Sequence, residues 1–202
     1  MGQITVEKDL DGIAGLCRIT PAVHGDSRGY FLESYNRRDM EEAGIDVDFV
    51  QDNQSSSAAG VLRGLHYQKR FSQTKLVRVI RGAVFDAAVD LRPGSPTFGR
   101  WHGEVLSPEN RCQLLIPRGF AHGFLVLSGD GAEFCYKCDD FYHPDDEGGI
   151  RWDDPALGID WPGLSRDAGG TWTLNGTPLI LSEKDRKWPF LAEVFPGEVI
   201  RG

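Results

Sequence analysis

The 202-residue sequence lacks a long hydrophobic run, so nothing in it predicts a membrane span. The first residues also lack the apolar stretch of a secretory signal, because Glu7, Lys8 and Asp9 interrupt it. Positive charge is in deficit, since 22 Lys and Arg stand against 30 Asp and Glu, for a net charge of −8. That sign is wrong for a general nucleic-acid binder. We expect a cytoplasmic protein that binds neither nucleic acid nor membranes.

Cysteine is scarce, with four residues at positions 17, 112, 135 and 138. The spacing of Cys135 and Cys138 is that of half a zinc or redox motif. Aromatic neighbours favour a strand at this point, and residues three apart in a strand point to opposite faces. We therefore predict four reduced thiols, as is usual in a cytosolic protein.

Long helical patterns are also missing. The best helical signal covers Arg37 to Ala43, with Asn36 as its cap and Gly44 as its stop. Short strand patterns recur instead at roughly ten-residue spacing, which is typical of an all-β sandwich or barrel. They cover residues 15–19, 30–35, 47–51, 60–68, 75–81, 83–91, 101–106, 112–116, 120–127 and 132–138.

Two segments depart from this strand pattern. The polar run 52–57 predicts a loop. From about residue 141, acidic residues, glycines, prolines and tryptophans predict a C-terminal wrap with little regular structure, held to the core by its aromatic side chains. We expect one domain over residues 1–202, with a jelly-roll core at about 15–140 and the wrap at about 141–202.

The chain is organised around the strand predicted at residues 60–68. Regular alternation places Gly64 and His66 on one face and Arg63 and Leu65 on the other. Gly64 leaves room for another group to approach closely, and Lys75 begins the next predicted strand. Taken alone, an isolated histidine in a strand is more often structural than catalytic.

The run Pro117-x-Gly119-x-x-His122 resembles the second half-motif of cupins, which delivers a histidine into the mouth of a small jelly roll. Metal-binding cupins supply a further His-x-His pair from the preceding half-motif. The corresponding residues here are His66-Tyr67-Gln68, so the second histidine is missing. Three protein ligands are then hard to assemble, and we predict that the site binds no metal.

Six segments together resemble the dTDP-4-dehydrorhamnose 3,5-epimerase family: residues 26–29, 60–68, 90–99, 119–124, 152–161 and 181–185. The resemblance covers nearly the whole chain. It implies a cupin-like jelly-roll homodimer that needs no cofactor. The implied substrate is dTDP-4-keto-6-deoxyglucose or a related nucleotide sugar, epimerised at C3 and C5 to dTDP-4-dehydro-L-rhamnose.

The resemblance also implies residue roles. His66 matches the proton-abstracting base, Asp185 the acid that orients it, Tyr136 the proton donor and Lys75 the lysine near the keto oxygen. Family substrate-binding positions, some supplied by the partner subunit, correspond to Arg28, Glu33, Gln51, Asn53, Arg63, His122, Tyr142 and Glu147. The residue types suit the chemistry, because a C4 ketone acidifies the hydrogens on C3 and C5 and histidine is a base near neutral pH.

Alternatives remain open from the residues alone. Tyr136 could be a core aromatic, Asp185 a helix cap and Lys75 a surface residue. Regular alternation turns Arg63 away from His66, so a bulge or the dimer partner must explain any role of Arg63. In function, the rivals are an epimerase of C3 only or C5 only, a metal-dependent cupin enzyme, and a non-catalytic protein that binds sugar nucleotides. The chain departs from the family in a longer link at 163–178 and in Trp188, which crowds the segment after Asp185.

Overall fold

The computed structural model describes residues 3–200, which form sixteen short strands, two short α-helices and two 3-10 turns. The strands are β1 (Ile4–Lys8), β2 (Cys17–Pro21), β3 (His24–Asp26), β4 (Gly29–Phe31), β5 (Gln51–Ser57), β6 (Leu62–Gln68), β7 (Lys75–Arg81), β8 (Val84–Asp90), β9 (Trp101–Leu106), β10 (Gln113–Ile116), β11 (Phe120–Val126), β12 (Ala132–Cys138), β13 (Glu147–Gly149), β14 (Leu164–Arg166), β15 (Trp172–Leu174) and β16 (Thr177–Pro178). The helices are α1 (Arg37–Glu42) and α2 (Leu191–Val194), and the 3-10 turns cover Leu10–Gly12 and Pro144–Asp146.

Two antiparallel sheets form the body of the protein. One has six strands in the order β1-β2-β10-β7-β12-β5, and the other has five in the order β13-β6-β11-β8-β9. Val77 and Phe134 of the first sheet pack with Val84 and Phe124 of the second in one buried cluster. The all-β prediction is confirmed. Because no strand ladder joins the two sheets within residues 3–200, they form a sandwich rather than a closed barrel.

The C-terminal segment covers the outer face of the five-stranded sheet. Trp152 and Trp161 pack there in one buried cluster with Leu62, Phe85 and Leu125. Burial of such aromatic surface is the main force that holds a segment of this kind in place. As expected, the segment has little regular structure; within it, the short strands β14, β15 and β16 form a three-stranded sheet.

The outer face of the six-stranded sheet is covered in part by α1. Met40 of the helix and Ile45 behind it are buried against Leu76 and Leu115 of the sheet. The side chain of Asn36 caps α1 by accepting a hydrogen bond from the backbone of Arg38. The predicted helix is confirmed to within one residue at its end. Neither α-helix of residues 3–200 is long and apolar enough to span a bilayer.

Strand β5 corrects the loop predicted for residues 52–57. It is the edge strand of the six-stranded sheet and pairs only with β12. A polar strand is stable there because neither face needs apolar side chains: Asp52 and Gln54 are exposed, while Gln51 and Asn53 line a cavity. Backbone pairing with β12 supplies the order that hydrophobic patterning does not.

Strand β6 corrects the predicted alternation. Its partner β11 places His122 opposite His66 and Phe124 opposite Arg63, so three steps along β6 match two along β11. The extra residue is a β-bulge, which reverses the order of faces beyond it. Leu62 and Leu65 therefore both lie on the outer face of the sheet, in the buried cluster that contains Trp152 and Trp161. Arg63 lies on the inner face, as His66 does.

Only glycine fits in the middle of this bulge. Gly64 has a φ of +123°, and a Cβ built on it would lie 2.6 Å from the Cα of Gly123 on β11. The close approach expected beside Gly64 is thus that of the neighbouring strand.

Candidate active site

A cavity of about 240 Å³ opens between the two main sheets, at one end of the sandwich. Strands of both sheets contribute to it. Its walls are formed by Gln51, Asn53, His66, Tyr67, Gln68, Gln73, Lys75, Tyr136, Cys138, Tyr142 and Glu147. A concave site with this concentration of polar and titratable side chains is the natural candidate for catalysis.

A histidine–carboxylate pair stands at the cavity wall. Nε2 of His66 lies 2.5 Å from Oδ1 of Asp185, a residue 119 positions later in the chain. The His66 side chain is 30% exposed, so it is open to the cavity, whereas Asp185 is 3% exposed. With the carboxylate ionised, Nε2 donates this hydrogen bond and Nδ1 is left as the basic nitrogen.

The Asp185 carboxylate is fixed by further donors. Its Oδ2 accepts a hydrogen bond of 2.7 Å from the hydroxyl of Ser182, and its Oδ1 lies 3.4 Å from the indole Nε1 of Trp188. Burial alone would raise the pKa of Asp185, but the hydrogen bonds from His66, Ser182 and Trp188 hold it below its ordinary value. Asp185 is therefore ionised and available to stabilise an imidazolium.

Tyr136 and Lys75 belong to the opposite sheet. Tyr136 lies on β12 and Lys75 begins β7, and the Lys75 ammonium is 5.9 Å from the centre of the Tyr136 ring. Burial raises the pKa of Tyr136, so its hydroxyl keeps its proton at neutral pH. Burial lowers the pKa of Lys75, while nearby Cys138 and acidic groups act against that shift.

Glu147 links three parts of the chain at the edge of the cavity. Its carboxylate accepts hydrogen bonds from the Tyr142 hydroxyl, at 3.0 Å, and from the ammonium of Lys184. Burial raises the pKa of Glu147, but the hydrogen bonds from Lys184 and Tyr142 bring it below its ordinary value. The backbone N–H of Tyr142 donates to Gln51, whose side chain in turn donates to Asn53 at 2.9 Å.

Two predicted substrate-binding residues lie outside the cavity wall. Arg63 donates to the hydroxyl of Ser57, at 3.0 Å, from the same inner side of β6 as His66. His122 is buried, and its Nε2 lies 2.7 Å from Oδ2 of Asp86. The structure therefore places both near the site without bringing them into contact with the cavity.

Arg28 and Glu33 do not line the cavity in the single chain. Arg28 stands on the hairpin of β3 and β4, where it pairs with Asp26 and its side chain is 87% exposed. Glu33 accepts a hydrogen bond of 3.0 Å from Asn36 at the start of α1. Neither lines the cavity that contains His66.

Several site residues were given no site role from the sequence, and Trp188 was noted only because it crowds the segment after Asp185. Lys184, Ser182 and Trp188 surround Asp185 and Glu147, and Gln68 and Gln73 line the cavity. Ser182 and Lys184 lie within the 181–185 motif, and Trp188 follows it closely. The family resemblance assigned a role only to Asp185 in this motif. For Gln68, the signal was the alternation along β6, which places it on the same face as His66.

The fold and the cavity define a cupin-like sandwich with a hydrogen-bonded histidine–aspartate pair at the cavity wall. Within residues 3–200, no three His, Cys, Asp or Glu side chains converge in a way that could hold a metal ion.

Comparisons with known proteins agree with this description. Residues 11–193 match the family model described as dTDP-4-dehydrorhamnose 3,5-epimerase. The chain is 59% identical to the dTDP-4-dehydrorhamnose 3,5-epimerase of Pseudomonas aeruginosa, over 86% of this chain and 89% of that protein. It is 53% identical to the enzyme of the same name from Methanothermobacter thermautotrophicus, over 93% and 94% of the two chains.

A solved structure extends the likeness to the fold. The dTDP-6-deoxy-D-glucose-3,5-epimerase of Legionella pneumophila, in complex with dTDP-4-keto-L-rhamnose, is 50% identical to this chain and superposes with a TM-score of 0.79. The match covers 90% of this chain and 92% of that one. The chain belongs to the dTDP-4-dehydrorhamnose 3,5-epimerase family, and it is an enzyme of the isomerase class. The family expected from the six sequence segments is confirmed.

Proposed function

We propose that this protein inverts C3 and C5 of a dTDP-4-keto-6-deoxyhexose and yields dTDP-4-dehydro-L-rhamnose. The observation that carries the proposal is the pairing of His66 and Asp185 on one wall of a cavity whose other wall holds Tyr136 and Lys75. The likeness to relatives named 3,5-epimerases supports inversion at two carbons rather than one.

In the proposed mechanism, His66 removes the proton. The C4 ketone acidifies the hydrogens on C3 and C5, because either carbanion delocalises onto the carbonyl oxygen. Nδ1 of His66 takes the proton while Nε2–H stays bonded to Asp185. The buried carboxylate stabilises the imidazolium that results and keeps the ring in one tautomer.

Tyr136 returns a proton from the other side. Its raised pKa keeps the hydroxyl protonated until the enolate forms. Because Tyr136 belongs to the six-stranded sheet and His66 to the five-stranded one, a substrate held between the sheets has the base and the donor on opposite faces. Opposite faces are what inversion requires, since return of the proton by His66 would restore the starting configuration.

Lys75 stabilises the negative charge that develops on the C4 oxygen. Its side chain lines the same cavity as His66 and Tyr136, and a sugar bound there would displace water that screens the charge. The attraction of a fixed cation in such a place strengthens as the enolate forms, which lowers the barrier rather than the ground state. The sugar and its nucleotide are held in position by further residues of the cavity wall: Gln51, Asn53, Tyr142 and Glu147.

We also propose that two copies of the chain form a homodimer and complete each other's sites. The β3–β4 hairpin pairs with no other strand among residues 3–200. Two large aromatic residues on it, Tyr30 and Phe31, are 60% and 64% exposed, so the hairpin offers an apolar surface to a partner. Arg28 on the same hairpin can pair a diphosphate in bidentate geometry when the hairpin rests on a partner. Sedimentation of the full chain, with and without residues 24–31, tests this assembly.

A cytoplasmic location is proposed on the basis of the cysteines. All four lie in the described part of the chain, and none forms a disulfide. Unpaired thiols are the rule in a reducing compartment.

The reaction is tested by proton NMR of dTDP-4-keto-6-deoxyglucose and the enzyme in deuterated water. The expected product is dTDP-4-dehydro-L-rhamnose with deuterium at both C3 and C5. Deuterium and inversion at one carbon only would replace the proposal by a monoepimerase. Binding without any exchange would make the protein a non-catalytic sugar-nucleotide binder.

A further inference from the structure

Trp188 contacts both members of the histidine–aspartate pair. Its Nε1 lies 3.4 Å from Oδ1 of Asp185, the same oxygen that accepts the hydrogen bond from His66. Its indole ring stands edge-on to the imidazole, with ring centres 6.1 Å apart and planes inclined by 70°. One side chain thus lies against the carboxylate and the base together.

The surrounding residues hold this indole in place. A Cβ built on Gly149 would lie 2.3 Å from ring atoms of Trp188, so only glycine leaves space for the indole at that position. Gly149 is also the residue of β13 that pairs with His66 of β6. On another side, the Lys184 ammonium lies 5.7 Å from the ring centre of Trp188. The indole therefore occupies a slot built from the strand next to the base.

Trp188 does not line the cavity that contains His66, Tyr136 and Lys75. A sugar bound in that cavity would meet His66, which lines it, whereas Trp188 contacts His66 from outside the lining. Any effect of Trp188 on the reaction must then pass through the pair that it contacts.

We propose that Trp188 is a positioning residue that fixes the orientation of His66 and Asp185 for proton abstraction. The inference rests on the proposed role of His66 as the base. The ring packs against the imidazole and limits its rotation, and the indole N–H adds a donor to the Asp185 carboxylate. A small rotation of a catalytic base is costly, because misplacement by about 1 Å can reduce a rate about 100-fold.

Substitution of Trp188 tests the proposal through kinetics. Trp188→Ala should lower kcat by about 10- to 100-fold and leave KM nearly unchanged, with solvent exchange and inversion reduced together. Trp188→Phe keeps a ring but loses the N–H, and we expect a loss of about threefold, as for one weak hydrogen bond. A matched control is Trp172→Phe, since the Nε1 of Trp172 has no hydrogen-bond partner among residues 3–200.

Gly149→Ala tests the same contact by changing the residue against which the indole of Trp188 packs. The added methyl group displaces the indole, so this variant should also lower kcat with little change in KM. In the Trp188→Ala background, the methyl group has no ring to displace, and it should cost nothing more. If Gly149→Ala lowers kcat by the same factor in the wild-type and in the Trp188→Ala background, Gly149 does not act through Trp188.

A readout that needs no turnover separates this inference from the proposed reaction. The His66 ring proton bonded to Asp185 should give a protected low-field proton signal in the wild-type protein. Trp188→Ala should expose that proton to water and broaden the signal, whether or not the protein epimerises a sugar. An unchanged signal and unchanged kcat in Trp188→Ala would overturn the positioning role. A changed signal in a protein without exchange activity would overturn only the proposed reaction.

Discussion

His66 and Tyr136 face one cavity from different sheets. His66 lies on β6 of the five-stranded sheet, and Tyr136 lies on β12 of the six-stranded sheet. The two-layer sandwich therefore places the proposed base and the proposed proton donor on opposite sides of the cavity. The proposed inversion of a carbon centre requires such an arrangement.

Replacement of His66 by alanine should nearly abolish turnover. General-base catalysis is worth about 10²- to 10⁴-fold, and no other described side chain that lines the cavity is paired with a buried carboxylate in this way. The measurement is kcat by product NMR, with circular dichroism as the control for folding. A folded variant with normal turnover would remove His66 from the mechanism.

Asp185→Asn should reduce hydrogen exchange and epimerisation in parallel. An amide neither stabilises the imidazolium nor fixes the same tautomer, and an equivalent change in a serine protease costs about 10⁴-fold, which we take as an upper limit. Rates of deuterium uptake and of product formation are measured on one sample. If exchange stayed normal while inversion fell, Asp185 would act on reprotonation instead of abstraction.

Chelation should leave the activity unchanged. The His66-Tyr67-Gln68 segment lacks the second histidine of metal-binding cupins, and the proposed proton transfers use only side chains of the protein. Activity is measured before and after dialysis against a chelator, together with the metal content of the purified protein. Loss of activity that one particular metal restores would contradict the mechanism.

Asp90 should contribute to stability in a pH-dependent way. Its carboxylate is fully buried; burial raises its pKa, but hydrogen bonds from Arg92, Thr97 and Ser95 outweigh this and lower the pKa to about 2. A carboxyl whose folded pKa is depressed stabilises the protein above its unfolded pKa of about 4, and the contribution disappears as the pH falls through about 2.

Asp90→Asn should therefore lower the free energy of unfolding by about 2–3 kcal/mol at pH 7. The difference from the wild type should shrink as the pH is lowered from about 4 towards 2. Urea unfolding at a series of pH values measures it, with Asp130→Asn as the control because the side chain of Asp130 is 78% exposed. A difference that does not change with pH would mean that the charge of Asp90 is not the stabilising element.

The sequence allowed the strands with hydrophobic alternation to be predicted, because burial on one face leaves a period of two. Strands β7, β9 and β12 match the predicted bounds. Strand β5 was missed because its inner face lines a cavity and its outer face meets solvent, so it carries no hydrophobic signal. Regular alternation alone misplaces Arg63; the bulge opposite Gly123, one of the two explanations left open for that residue, depends on the neighbouring strand.

Single motifs predicted individual residues of the candidate site, but not the contacts between residues that are distant in the chain. The family resemblance implied that Asp185 orients His66, but no local pattern indicates this contact across 119 residues, which depends on how the C-terminal segment folds back. The same is true of the contact between Trp188 and Gly149, which no local pattern in either segment indicates. Such pairs are set by tertiary packing, for which the periodicity of one strand holds no information.

The most direct test of the two-sided mechanism is the ratio of hydrogen exchange to inversion in Tyr136→Phe. The variant keeps the ring and its packing but loses the hydroxyl, so His66 can still remove a proton and return it on the same face. We predict deuterium uptake at C3 or C5 with retention of configuration and little inverted product, followed by NMR over time in deuterated water. If exchange and inversion are lost in parallel, Tyr136 is not the donor from the opposite face, and the two-sided mechanism is wrong.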